Sequence, residues 1–222
     1  MTPVNKLHAR RSCGGWGLIE ALIAIALMMI ISIIAIPQIV SQRRLFRMAG
    51  VPREVVSLMR LARQRAMAER QAFTFQYDDT TKQILVIDHN AAGAAVLNAP
   101  NYPDTAGSFK VVVTQLTGGG VTATDIVYGI PPPPNPPTPG VPTTAATLDD
   151  NTTLTPLVNN KLNVTFQPDG SVINGLGNPV NRTFFIYNQL APVDTAKAIS
   201  VLGTGGRIKA WRYDNYAKKF IE

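Results

Sequence analysis

Twenty-one consecutive residues, Trp16 to Ile36, contain a single charged side chain, Glu20, and one other polar side chain, Ser32. A helix needs about 20 apolar residues to cross the hydrocarbon of a bilayer, so the stretch predicts a membrane-spanning helix by length. The glutamate does not fit a plain lipid-facing anchor. An ionisable group in such a segment costs on the order of 2.5–3.5 kcal/mol even on insertion scales, and it marks a functional site. A secretory signal peptide fits no better. Its apolar run covers roughly 7–15 residues and precedes the small residues of the cleavage site, whereas here Gly14-Gly15 come first.

Charge is distributed unevenly along the 222 residues. Lys6, Arg10 and Arg11 lie before the apolar run with no acid among residues 1–15. Residues 43–70 carry eight arginines against Glu54 and Glu69, while residues 71–206 hold five bases against nine acids. The last sixteen residues are basic again, with Arg207, Lys209, Arg212, Lys218 and Lys219 against Asp214 and Glu222. A mildly acidic body with a basic neck and tail suits acidic partners such as nucleic acid or lipid head groups; solvated basic faces account for it equally. Cys13 is the only cysteine, which excludes an intramolecular disulfide and a cysteine-based metal cluster.

Gly15-Trp16-Gly17-Leu18-Ile19-Glu20 resembles the processing motif of type IV prepilins and pseudopilins. In that class a short basic leader ends in glycine, and glutamate occupies the fifth position after the cut. Counted from Trp16, Glu20 is fifth, and Pro37 is the twenty-second residue, where the class commonly has a helix-bending proline. The class usually begins with phenylalanine after cleavage; Trp16 replaces it here, and an aromatic ring suits a membrane surface. The resemblance implies cleavage between Gly15 and Trp16 by a prepilin peptidase that also N-methylates the new α-amine. It further implies that Glu20 pairs with the amino terminus of a neighbouring subunit. Positive flanks on both sides of the span leave its orientation undecided by charge; the leader is placed in the cytosol on the resemblance alone.

Helical periodicity resumes after Pro37 and continues to about Gln71, with a bend expected at Gly50-Val51-Pro52, where Pro52 would open a new segment. Val55, Leu58, Met59, Ala62 and Ala66 fall on one face, and Arg53, Arg60, Arg63 and Arg70 on an adjacent arc. Arg65 falls beside Leu58 and Leu61. The run Leu61-Ala62-Arg63-Gln64-Arg65-Ala66, leading straight towards a strand, is similar to the end of the long helix in GspH/FimT-like minor pseudopilins and minor pilins.

Beyond Gln71 the pattern becomes that of short strands. Ala72–Tyr77 and Gln83–Asp88 flank a five-residue loop, Asp78–Lys82, and Phe109–Leu116 and Asp125–Ile130 follow. Lys161–Gln167 leads into the turn Pro168-Asp169-Gly170. Ser171–Asn174, Arg182–Asn188, Ala196–Leu202 and Arg207–Tyr213 complete the set. Residues 129–144 hold eight prolines within positions 131–142, a tract that favours extended polyproline II chain and reads as a surface insertion.

The expected architecture is α+β: a leader over 1–15, a long helix over 16–71 with its membrane part at 16–36, and an antiparallel β-rich head over 72–222. The segment Ala198-Ile199-Ser200-Val201, then Gly205-Gly206-Arg207-Ile208-Lys209, resembles the terminal hairpin of FimT-like proteins. That likeness implies DNA as an alternative partner, with phosphate contacts from Arg207, Lys209 and Arg212 and stacking on Trp211 or Tyr213. No catalytic constellation emerges. His8 lies in the leader, His89 has no second ligand nearby in sequence, Gly118-Gly119-Gly120 precedes no helix, and Asp149-Asp150 does not have calcium-loop spacing. No enzyme, metal or cofactor is assigned. The reading is a minor pilin or pseudopilin that joins a type IV pilus or a type II secretion pseudopilus, at the tip or in the initiating complex. Its partners are other pilins, the peptidase and the bacterial inner membrane, with the head in the periplasm.

Overall fold

The structure, a computed structural model, describes residues 17–90, 109–131, 154–174, 178–214 and 219–222, without the side chains at 37, 40, 41, 43–45 and 219. The leader 1–15, Trp16 and most of the proline tract lie outside these residues. The chain divides into two units, residues 1–41 and 42–222.

Helix α1 runs from Leu18 to Glu69. Gly50, Val51 and Pro52, where the sequence predicts a bend and a new helical segment, all lie within this one helix. Proline removes one intrahelical donor and crowds the preceding turn, at a cost of about 3 kcal/mol in an isolated helix. The buried surroundings of Val51, Pro52, Val55 and Val56 outweigh that local penalty here. Pro37 likewise lies inside the helix. The helix ends where Arg70 adopts a left-handed conformation (φ 54°), the turn that closes many helices and that most often falls to glycine.

In the second unit, α1 buries Met48, Val51, Val55, Met59, Ala62 and Ala66. Their three- and four-residue spacing places them on one stripe, as the periodicity predicts. Ala62 and Ala66 have no exposed surface, and their lack of a long side chain lets the helix approach the strands closely.

Two antiparallel sheets meet that stripe. The first has the order β3 (Phe109–Gln115), β2 (Gln83–Asp88), β1 (Phe73–Asp78), β5 (Lys161–Phe166). The second has the order β4 (Ile126–Tyr128), β6 (Arg182–Asn188), β7 (Lys197–Leu202), β8 (Arg207–Asp214), β9 (Lys219–Ile221). A short helix, α2 (Pro192–Thr195), connects β6 to β7. Phe73, Phe75 and Tyr77 of β1, Phe184 and Ile186 of β6, and Ile199 and Val201 of β7 join the helix stripe in one core. Tyr77 and Phe184 meet edge to face at 5.2 Å between centroids, a favourable aromatic geometry. The α+β class follows from these elements.

Local chemistry explains most of the turns. Asp78 Oδ1 accepts hydrogen bonds from the backbone N–H groups of Thr80 (2.9 Å) and Thr81 (3.1 Å), an Asx turn. Because Asp78 pairs with Gln83, the loop is one residue shorter than the five-residue reading. Pro168-Asp169-Gly170 does turn, with Gly170 at φ 82°. The strand expected at Ser171–Asn174 is reduced to isolated bridges, Phe166 with Val172 and Ile173 with Pro179. Val172 donates to Gly203 O at 2.8 Å and accepts from Val180 N at 2.9 Å, so its backbone groups are used between segments rather than along a ladder. The strand predicted from Asp125 begins at Ile126, because Asp125 accepts from Thr122 N (2.7 Å) and closes a 3-10 turn.

Both faces of β1 are buried. On the side away from the aromatic core, Thr74 Oγ1 lies 2.7 Å from both His89 Nε2 and Thr165 Oγ1, and Gln76 donates to Asn163 at 2.8 Å. His89 is fully buried, and loss of solvent pushes its imidazole down to about 4, opposed in part by the neighbouring Asp88. The unfolded chain therefore binds a proton near pH 6.5 that the folded chain resists until about pH 4. Stability is fully present above pH 6.5 and declines as pH falls between those values. Chemical denaturation of the full chain in neutral detergent should show a loss of roughly 1–3 kcal/mol between pH 7.5 and 4.5. His89→Gln should flatten that dependence.

Candidate functional site

The first unit presents an unusual surface. Residues Leu18–Ile36 form 19 helical residues of mean hydropathy 2.8, none of them buried. Leu18, Ile19, Met28, Ile31 and Ile33 each expose about two thirds or more of their surface. Contiguous apolar surface on this scale marks a contact with lipid or protein. The helix also hides its own polar groups: Ser32 Oγ donates to Met28 O at 2.7 Å, so its hydroxyl needs no outside partner.

Glu20 interrupts this surface in the first turn of α1. Gly17 O accepts from the backbone N–H groups of Glu20 (2.9 Å) and Ala21 (3.3 Å), which opens the helix there. A carboxylate in the first turn faces the positive end of the helix dipole, worth about 0.3–1 kcal/mol. Among the described residues no cation forms an ion pair with Glu20. The site therefore presents a negative charge on an otherwise apolar, uncovered helix. Gly15 and Trp16, where the sequence places the cut, lie outside the described residues, and Pro37 sits within the helix.

The three bases singled out at the end of the chain do not converge. Strand alternation puts Arg207 and Lys209 on one face of β8 and Arg212 on the other. Lys209 Nζ is paired with Glu222 Oε2 at 2.8 Å and lies 5.1 Å from the Trp211 ring centroid. The Trp211 indole N–H donates to Ser200 Oγ at 2.8 Å. Tyr213, expected as a stacking residue, is instead buried against Phe220, with centroids 5.4 Å apart. The missed strand β9 causes both changes: it brings Phe220 opposite Tyr213 and Ile221 opposite Arg212.

Arg212 belongs to another group. It shares the helix-facing side of the second sheet with Lys197, its cross-strand partner. Both line a groove of about 730 Å³ with Arg53 and Arg60 of α1. A second groove of about 350 Å³ is lined by Arg60, Arg63, Gly205, Gly206 and Arg207. The arc Arg53–Arg60–Arg63 was readable from helical spacing. Lys197 was not, because a lysine opening a strand carries no signal until its cross-strand neighbour is known.

Arg63 does a different job. Its Nη2 donates to Gly205 O at 3.0 Å and its Nε approaches Gly170 O at 3.4 Å, so one side chain ties two turns to the helix. Gly206 sits at φ 57°, and a Cβ there would fall 1.9 Å from Gly170 O.

No family model matches the sequence, and no curated protein matches it. Among solved structures, the chain is similar to the type IV minor pilin FimU of Pseudomonas aeruginosa strain PAO1. The similarity has a TM-score of 0.40 at 15% identity, covering 72% of this chain and 84% of that one.

The tight approach of the two turns can be tested. Gly206→Ala should destabilise the protein by about 2–4 kcal/mol, from the left-handed backbone and the close contact together. Gly205→Ala, which meets open space, should stay within about 0.5 kcal/mol of the parent. Urea denaturation of both variants checks the pair.

Proposed function

We propose that this chain is a minor pilin or pseudopilin of the GspH/FimT-like kind, a structural subunit rather than a catalyst. The observation that carries the reading is the uncovered apolar helix Leu18–Ile36 with one carboxylate, Glu20, in its first turn. Such a helix requires two environments in succession. Lipid covers it while the subunit waits in the inner membrane, and the helices of sibling subunits cover it in a filament. The β-rich head is not apolar in this way and would stand in the periplasm, then on the surface of a pilus or pseudopilus.

In this reading, cleavage between Gly15 and Trp16 removes the leader with Lys6, Arg10 and Arg11, and methylation leaves the new amine of Trp16 cationic. Glu20 then meets the amine of a neighbouring subunit. An unpaired buried charge is worth about 3–5 kcal/mol of penalty, so pairing favours one axial register among the many that apolar surfaces alone would allow. The resemblance of Gly15–Glu20 to the processing motif supports the cut, and the position of Glu20 supports its pairing. Arg207, Lys209 and Arg212 do not form one patch, so a DNA-receptor role is left out of this proposal.

Two measurements test it. The intact mass of the protein purified from membranes should correspond to residues 16–222 plus one methyl group; a mass that retains residues 1–15 would refute the processing. Glu20→Ala should be cleaved normally yet enter filaments at least tenfold less often. Parental incorporation of that variant would rule out the ion-pair role.

A further inference from the structure

The groove between α1 and the second sheet has a composition that the assembly reading does not use. Arg53 and Arg60 reach it from the helix, Lys197 from β7 and Arg212 from β8, while Pro52, Val56 and Leu61 supply an apolar wall. The one side-chain carboxylate among its described lining residues is that of Glu222, which is paired with Lys209. The Lys197 amine is held below its ordinary range, first by loss of solvent and then by Arg212 and Arg53. Four cations, Arg53, Arg60 and Arg212 exposed and Lys197 partly buried, thus gather around the groove without a side-chain counter-ion in a salt bridge to them among the described residues. Packing alone does not call for this: mutual repulsion works against the fold, and an anion would relieve it.

The groove is also elongated. Arg60 and Gln64 line both it and the smaller cavity that ends at Arg207. From Arg53 to Arg60 the helix rises by about 10 Å, which matches about three residues of extended chain at about 3.3 Å each. A free phosphate would occupy one end only. Single-stranded nucleic acid is less well suited, because the Lys209 ammonium sits over the Trp211 ring and covers a face on which a base would stack. Aliphatic walls between guanidinium groups suit alternating apolar and acidic side chains, since the planar guanidinium matches a carboxylate in a two-point contact.

We infer that the groove lined by Arg53, Arg60, Lys197 and Arg212 is a docking site for an extended acidic peptide segment of a partner protein, with carboxylates on the cations and apolar residues on Pro52, Val56 and Leu61. The inference is independent of leader processing and filament assembly, because the groove lies wholly within residues 42–222.

The test uses the full chain in neutral detergent and a fluorescent, acetylated hexapeptide that alternates leucine and glutamate, followed by anisotropy at low salt. The expected result is saturable binding that weakens with salt. The same peptide with glutamine in place of glutamate should bind at least tenfold more weakly. Arg53→Gln with Arg212→Gln should lose at least tenfold in affinity for the glutamate peptide, while Lys209→Gln should stay within about twofold. Arg53→Gln alone, at an exposed helix position, should lose severalfold, which separates a docking effect from damage to the β8 packing; equal thermal midpoints check that the variants remain folded. The inference is overturned if glutamate and glutamine peptides bind alike, or if the double variant retains full affinity. It is also overturned if millimolar inorganic phosphate competes as well as unlabelled peptide, or if a single-stranded oligonucleotide binds more tightly with the same dependence on Arg53 and Arg212.

Discussion

One hydrogen-bonded backbone, α1, has to satisfy two different surroundings. From Leu18 to Ile36 its side chains are apolar apart from Glu20 and Ser32, and none is buried among the described residues. From Met48 to Ala66 one side is buried, and the exposed or partly exposed remainder carries Arg53, Glu54, Arg60, Arg63 and Arg65 among smaller and polar residues. A helix is the backbone form that tolerates both, since it meets its own hydrogen-bonding needs without a neighbour. The head depends on the second of these regimes. Its two sheets share a core, and the helix stripe contributes to that core along almost its whole length.

The same helix explains why the arginines of the neck have unequal roles. Arg65 forms a loose pair with Glu69 at 3.7 Å, with both side chains substantially exposed, a contact worth little in water. Arg63 binds backbone carbonyls of two turns and acts as a structural tie. Arg53 and Arg60 face the groove with Lys197 and Arg212. The eight arginines of residues 43–70 look alike in a charge count, yet those placed here perform three different functions. The difference comes from which strands approach each turn of the helix.

Local pattern carried most of the fold. The membrane-length helix, the stripe Val55–Ala66, the hairpin at Asp78–Gln83 and the turn at Gly170 all rest on short-range periodicity or turn chemistry, and they appear in the structure. The failures share a cause in long-range contact. Pro52 reads as the start of a new helical segment until its buried surroundings are known, and Ser171–Asn174 reads as a strand until Val172 is seen to bond with Gly203 and Val180. β9 has only Phe220 and Ile221 as signal, too few for a periodic pattern, yet its pairing with β8 buries Tyr213. The site divided in the same way. Glu20 was conspicuous because a charge among apolar residues is a local anomaly. The groove was not, because its cations come from three elements distant in sequence.

The two sets of charge also call for different kinds of partner. Glu20 is a single carboxylate on an apolar rod, so its counter-charge must arrive in a low-dielectric contact, where one correctly placed cation distinguishes registers sharply. The groove cations are mostly exposed, with Arg53 and Arg60 about 10 Å apart along the helix, so salt screens them and each contact is worth less. A charge of the first kind is suited to a permanent, geometrically exact joint between subunits. Charges of the second kind are suited to reversible capture, in which affinity is the sum of several modest contacts and can be lost without unfolding the head. On the proposed reading, the apolar turns of α1 would carry the joint between subunits and its arginine-bearing turns the groove.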